Sequence, residues 1–207
     1  MDKLTDVPVI NCVLIGETRA GVSDIMKKYA EFNAVPICEE YGRVTTAFRG
    51  QKCVFWDESG DVSDKIVIVD DQNNKSDGSN VDVFMLCVSI TQQCDVEQTV
   101  NTILQLIRQK VRNAPFVLVG TEIDKRVNLE KSSVKPMTLS DAEKFAKKIG
   151  AKKYFECSAF TGEGVDEVFE DTFNVGKESA LSKLRRDKLF KIQEEEKVER
   201  KPSCITQ

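Results

Sequence analysis

Backbone N–H groups at the start of a helix can hold a phosphate, and a nearby cation strengthens the grip. Residues 16–23 read Gly-Glu-Thr-Arg-Ala-Gly-Val-Ser. This is the spacing G-x-x-x-x-G-K-[ST] of a phosphate-cradling loop, with Val22 where the lysine belongs. Gly16 and Gly21 keep their places between an apolar run (7–15) and a helical pattern (23–32). The loop geometry is therefore retained while the cation for the β- and γ-phosphates is missing. With no histidine in the chain, Ser-His and Cys-His nucleophiles and every histidine acid or base are excluded. Of seven cysteines, Cys12, Cys53, Cys87 and Cys157 sit inside apolar runs without zinc-site spacing, and read as reduced core residues. The available chemistry is electrostatic.

The elements that must position this loop follow from hydropathy. Apolar strand-like runs occur at 7–15, 44–48, 52–56, 81–89, 116–120 and 154–157, with helical periodicity at 23–32, 95–111, 139–149 and from 165 onward. Alternation of the two predicts an α/β fold, a six-stranded and mostly parallel sheet with helices on both faces. The runs at 44–48 and 52–56, joined by Arg49-Gly50-Gln51, read as a hairpin that makes one edge antiparallel. Residues 70–80 are polar turn formers without periodicity and read as a solvated loop. A calcium-loop reading of Asn73, Lys75, Asp77 and Gly78 fails, because Lys75 takes a ligand position and Phe84 stands where the bidentate glutamate belongs. The last helix continues through Leu181, Leu184, Leu189 and Ile192 to the acidic run 194–196, and its charged extension reads as a solvated face.

With 207 residues and a net charge of −4, the chain suits one domain and carries no basic footprint for nucleic acid. No apolar run approaches the roughly 18 residues of a membrane span, and the N-terminus lacks a signal-peptide pattern, so a cytoplasmic protein is expected.

Four further motifs follow the loop in order. They are Asp57-Glu58-Ser59-Gly60, Thr121-Glu122-Ile123-Asp124, Glu156-Cys157-Ser158-Ala159, and a terminal Cys204-Ile205-Thr206-Gln207 of the C-a-a-X type. With residues 83–90 and 149–154, this set resembles the small GTPases of the Rho/Rac family over about residues 7–175. The resemblance implies a GTP or GDP site built from Gly16, Arg19, Ala20, Gly21, Val22, Ser23, Asp24, Gly60, Thr121, Asp124, Ser158 and Ala159, with Ser23 and Asp57 on Mg²⁺. Asp124 can accept two hydrogen bonds from the guanine N1–H and N2–H edge, which adenine does not return. It also implies a G domain over 1–178 and a helical extension and tail over 179–207. Effectors and regulators would meet residues near 35–41 and 61–80, and a farnesylated Cys204 would place a monomeric protein at the cytoplasmic face of membranes. Because Lys197, Arg200 and Lys201 are offset by Glu194, Glu195, Glu196 and Glu199, attachment through one lipid is expected to be reversible.

The departures from the family pattern cluster on the nucleotide. Val22 removes one cation, and Glu122 replaces the lysine of T-K-x-D with an anion. Asp61 occupies the place of the glutamine that orients water and would repel the γ-phosphate. Segment 35–41 is one residue short of a first switch and lacks its Mg²⁺-binding threonine; Thr45 and Thr46 fall in the next strand. Residues 62–80 replace the second switch helix, and the stretch between Asp124 and Gly150 is intermediate in length between Rho-like and Ras-like chains. Two readings stay open. One is a Rho-like GTP-binding signalling protein in cytoskeletal or membrane-traffic pathways, with weak nucleotide binding and slow or absent hydrolysis. The other is a nucleotide-free pseudo-GTPase that acts as a protein-binding module.

Overall fold

The computed structural model describes residues 7, 9–38, 42–58, 81–91, 93–111, 114–126 and 135–199. Its seven strands are β1 (Ile10–Gly16), β2 (Ile37–Cys38), β3 (Arg43–Phe48), β4 (Gln51–Asp57), β5 (Val83–Ser89), β6 (Phe116–Thr121) and β7 (Tyr154–Glu156). They form one sheet in the order β2-β3-β4-β1-β5-β6-β7. Four long helices accompany them: α1 (Val22–Phe32), α2 (Gln93–Lys110), α3 (Leu139–Ile149) and α4 (Val165–Glu199). The sheet has one strand more than the six expected. The addition, β2, is two residues long, too short for alternation to register, and is defined only by its antiparallel pairing with β3.

The β3–β4 hairpin is present, with Phe48 opposite Gln51. Its two loop residues both take positive φ, 49° at Arg49 and 79° at Gly50, the backbone that suits a tight two-residue connection. The remaining pairs, β4–β1, β1–β5, β5–β6 and β6–β7, are parallel. Strand alternation divides the core between two faces. Cys12, Leu14, Met85, Cys87, Val117 and Val119 point to the side of α1 and α4. Val13, Ile15, Phe84, Leu86, Val88 and Leu118 point to the side of α2 and α3. Cys12, Cys53, Cys87 and Cys157 are free and fully buried, as their apolar context predicts.

Helix α3 starts where the Thr138 hydroxyl accepts from Asp141 N–H at 3.2 Å and stops at left-handed Gly150. Helix α4 runs on through the boundary read at 178/179 and is pinned beyond it by Lys183, whose ammonium reaches the Val81 carbonyl at 2.5 Å and Asp82 at 3.0 Å. Chain order reverses at β1, which lies between β4 and β5. In open parallel sheets the crevice beyond the carboxyl ends of strands at such a reversal receives ligands. The motif-bearing loops after β1, β4, β6 and β7 all emerge at that end.

Candidate functional site

The phosphate-loop end is built around two glycines. A Cβ on Gly16 would sit 2.5 Å from the Cys87 carbonyl oxygen and 2.9 Å from Val22 Cγ2, so only glycine lets β1 end against β5 and the following helix. After a single 3₁₀ turn (Thr18–Ala20), Gly21 takes φ 63° and starts α1. The first amides of α1 lack intrahelical partners and are suited to an anion. Val22 is 2% exposed and belongs to the hydrophobic core, its methyl lying across Gly16 at the floor of the loop. Arg19 is largely exposed and pairs with Glu17 at 3.4 Å. The Ser23 hydroxyl donates to Asp57 Oδ2, so the fold brings the two Mg²⁺ candidates together. A hydroxyl and a carboxylate in contact suit a hard divalent cation shared with phosphate oxygens.

The other end of the site is held by a polar lattice between β6 and β7. Thr121 is 1% exposed, with its hydroxyl donating to the Val88 carbonyl at 3.3 Å. Ser158, fully buried, donates from its hydroxyl to Asp124 Oδ1 at 2.6 Å and accepts from Thr161 N–H at 3.1 Å. Asp124 is thereby braced, and its second carboxylate oxygen remains for another donor. Two residues on, Arg126 forks onto Glu156 at 2.8 and 2.6 Å and also donates to the Met137 carbonyl at 3.2 Å. Tyr154 donates to the same carboxylate at 2.8 Å; burial, then the Glu156 charge, push its phenol well above the ordinary value. This network ties the loop of Asp124 to the strand that leads into Ser158. Arg126→Ala is expected to lower stability by about 1.5–3 kcal/mol, the range for charged hydrogen bonds, and to loosen both loops. Urea unfolding and amide exchange at 121–125 and 157–162 check it.

At Glu122, where the family pattern has a lysine, the carboxylate accepts from the Ser89 hydroxyl at 2.6 Å and pairs with Lys125. Hydrogen bonding to Glu122 pushes the Lys125 ammonium above its ordinary value. Glu122 itself has φ 65°, unusual for a residue with a Cβ and stabilised by this double anchorage. The lost lysine is thus exchanged for a carboxylate–lysine pair three residues apart. Sequence reading missed both partners; the only local sign is the i, i+3 spacing of Glu122 and Lys125.

A cavity of about 540 Å³ lies between the two ends, lined by Ala20, Gly21, Asp24, Thr121, Asp124 and Ala159, among others. Phe160 stands on its rim, 85% exposed. Sequence reading also passed over this residue, although an aromatic directly after Ser158-Ala159 offers a ring face to any base held by that motif. The structure thus gathers Gly16, Gly21, Val22, Ser23 and Asp57 at one end, and Thr121, Asp124, Ser158 and Ala159 at the other. Gly60, Asp61 and Cys204 lie outside the described residues, as do 39–41, the rebuilt second-switch segment 62–80 and 127–134.

An open, mostly parallel sheet with a glycine-cornered loop after β1, and a carboxylate-bearing loop after β6 facing it across a cavity, defines a P-loop nucleotide-binding α/β domain. The protein-family model described as the Ras family matches residues 11–178. The chain belongs to the Ras family, whose domains bind GTP or GDP with Mg²⁺ and act through effector and regulator proteins.

Proposed function

We propose that this Ras-family protein is a Rho-like signalling protein that binds guanine nucleotide weakly and hydrolyses it slowly or not at all. The observation that carries the proposal is the contrast between the two ends of the cavity. Asp124, braced by Ser158 at 2.6 Å, keeps a carboxylate ready for the guanine edge, while the side chain at position 22 is a buried valine. Phe160 would cover one face of the base. Ser23 and Asp57 would hold Mg²⁺, which when bound would neutralise phosphate charge. Asp61, short and anionic, lacks the neutral amide that orients attacking water. Residues near 35–41 and 61–80 would meet effectors and regulators in cytoskeletal or membrane-traffic signalling. A lipid on Cys204 would hold the monomer at the cytoplasmic face of a membrane, with 1–178 as G domain and 179–207 as extension and tail.

Burial of Val22 supports a second reading, a nucleotide-free pseudo-GTPase that works through its surface. Titration calorimetry of nucleotide-stripped protein with GDP and GTP, with and without Mg²⁺, separates the two. The first reading predicts saturable, Mg²⁺-dependent binding that weakens about a hundredfold in Asp124→Ala, the equivalent of two charge-assisted hydrogen bonds. No heat of binding from a folded sample would sink it and leave the pseudo-GTPase.

A further inference from the structure

The charges around the cavity are arranged against a phosphate chain. Among the described residues that line it, Asp24, Glu122 and Asp124 carry three carboxylates against one ammonium, that of Lys125. Lys125 is itself paired with Glu122, so this cation is matched by a charge of the protein. At the loop, Glu17 pairs with Arg19 at 3.4 Å, and Asp24, in the first turn of α1, lies 3.6 Å from Lys27. The floor of the loop is filled by apolar and backbone atoms. A Cβ at Gly16 would meet the Cys87 carbonyl oxygen at 2.5 Å and Val22 Cγ2 at 2.9 Å, and Val22 is buried.

The base end has no such conflict. Asp124 is braced by the Ser158 hydroxyl at 2.6 Å, and the Phe160 ring stands exposed on the rim. The guanine edge is the same in guanosine, GMP and GDP, so these groups grip all three alike. Each further phosphoryl group brings negative charge toward the carboxylates of the loop end, where the amides at the start of α1 attract it. A helix start is equivalent to roughly half an elementary charge, which offsets the carboxylates without exceeding them.

We infer that the cavity recognises the guanine nucleoside itself and gains little from its phosphates, so that guanosine, GMP and GDP are alike as ligands. This rests on the guanine site proposed at Asp124 and goes beyond it in naming the ligand class: guanine nucleosides and nucleotides without regard to phosphate number. A partner of this protein then meets the same surface whichever of them is bound.

The test is titration calorimetry of the nucleotide-stripped full chain with guanosine, GMP, GDP and adenosine, with and without Mg²⁺. The expected dissociation constants for the three guanine ligands lie within about tenfold of one another in both conditions, and Asp124→Ala weakens all three by the same factor. Val22→Lys is expected to restore a dependence on phosphate, strengthening GDP by about a hundredfold or more and leaving guanosine within about threefold. Asp24→Asn, at an exposed position that leaves the core intact, is expected to strengthen GDP by about threefold or more with guanosine unchanged. GDP binding more than about tenfold tighter than guanosine in the wild type overturns the proposal and leaves the guanine site standing. Gains for guanosine equal to those for GDP in the two variants also overturn it, because positions 22 and 24 would then act on the shape of the cavity instead of on phosphate charge. No binding of any guanine ligand by folded protein, or equal binding of adenosine, sinks the guanine site and this proposal together.

Discussion

Val22→Lys raises the affinity for GDP and GTP by about a hundredfold to a thousandfold. The magnitude follows from two opposing quantities. One ammonium about 4 Å from a phosphate charge is worth on the order of 4 kcal/mol at an effective dielectric of 20. Desolvation of the lysine and the loss of valine packing subtract from that. The route exists, since Val22 already lies across Gly16 on the floor of the loop and a longer stem can follow the same line. Without ligand, the variant is expected to be less stable than wild type, because an ammonium replaces a methyl in a site that is 2% exposed. With GDP and Mg²⁺ at a hundred times the dissociation constant, linkage returns about 2.7 kcal/mol and the order of stabilities reverses. Calorimetric titration and melting with and without ligand read both quantities. Unchanged affinity together with a stability loss that nucleotide does not rescue would mean that the loop is no phosphate site.

What could be read from the sequence here was local, and what could not was long-range. The replacement at position 22 is visible as a single letter, but its burial is a property of β1 and β5 meeting at Gly16. Apolar runs located β1, β3, β4, β5, β6 and β7, with ends within three residues, because most of these strands are buried on both faces. Strand β2 has no pattern of its own. In the site, the glycine spacing and the Asp124 and Ser158 motifs were legible, and the structure places those two side chains in contact. The sequence shows that Glu122 replaces a cation with an anion, but not that its carboxylate is spent on Ser89, thirty-three residues earlier, and on Lys125. Arg126 and Glu156 are equally remote in sequence, and neither type nor spacing pairs them before the sheet does. Phe160 could have been noticed, because a large aromatic in a polar loop after β7 has no core to enter.

The second large effect lies in the core that holds α1 and α4 to the sheet. Phe169→Ala is expected to destabilise the protein by about 3–5 kcal/mol, the range for emptying a buried phenylalanine site. Phe169 is fully buried and touches three other rings: Tyr29 at 4.1 Å between centroids, Phe55 at 4.8 Å and Phe173 at 6.0 Å. These rings come from α1, β4 and two turns of α4, so the space left by one cannot close without moving elements that the parallel pairing fixes. For a domain of this size such a loss is a large part of a typical 5–15 kcal/mol, and it lowers the melting temperature by roughly 10 °C. Phe169→Leu keeps most of the volume and is expected to cost less than half as much. The cluster is tied to the phosphate loop through α1, on which Tyr29 follows Val22 and Ser23 by about two turns. Urea unfolding of both variants, with nucleotide binding measured per folded molecule, separates packing from function. A large drop in stability with unchanged affinity is expected. A loss of affinity in the folded Phe169→Ala fraction would instead mean that α1, and the loop amides with it, had shifted.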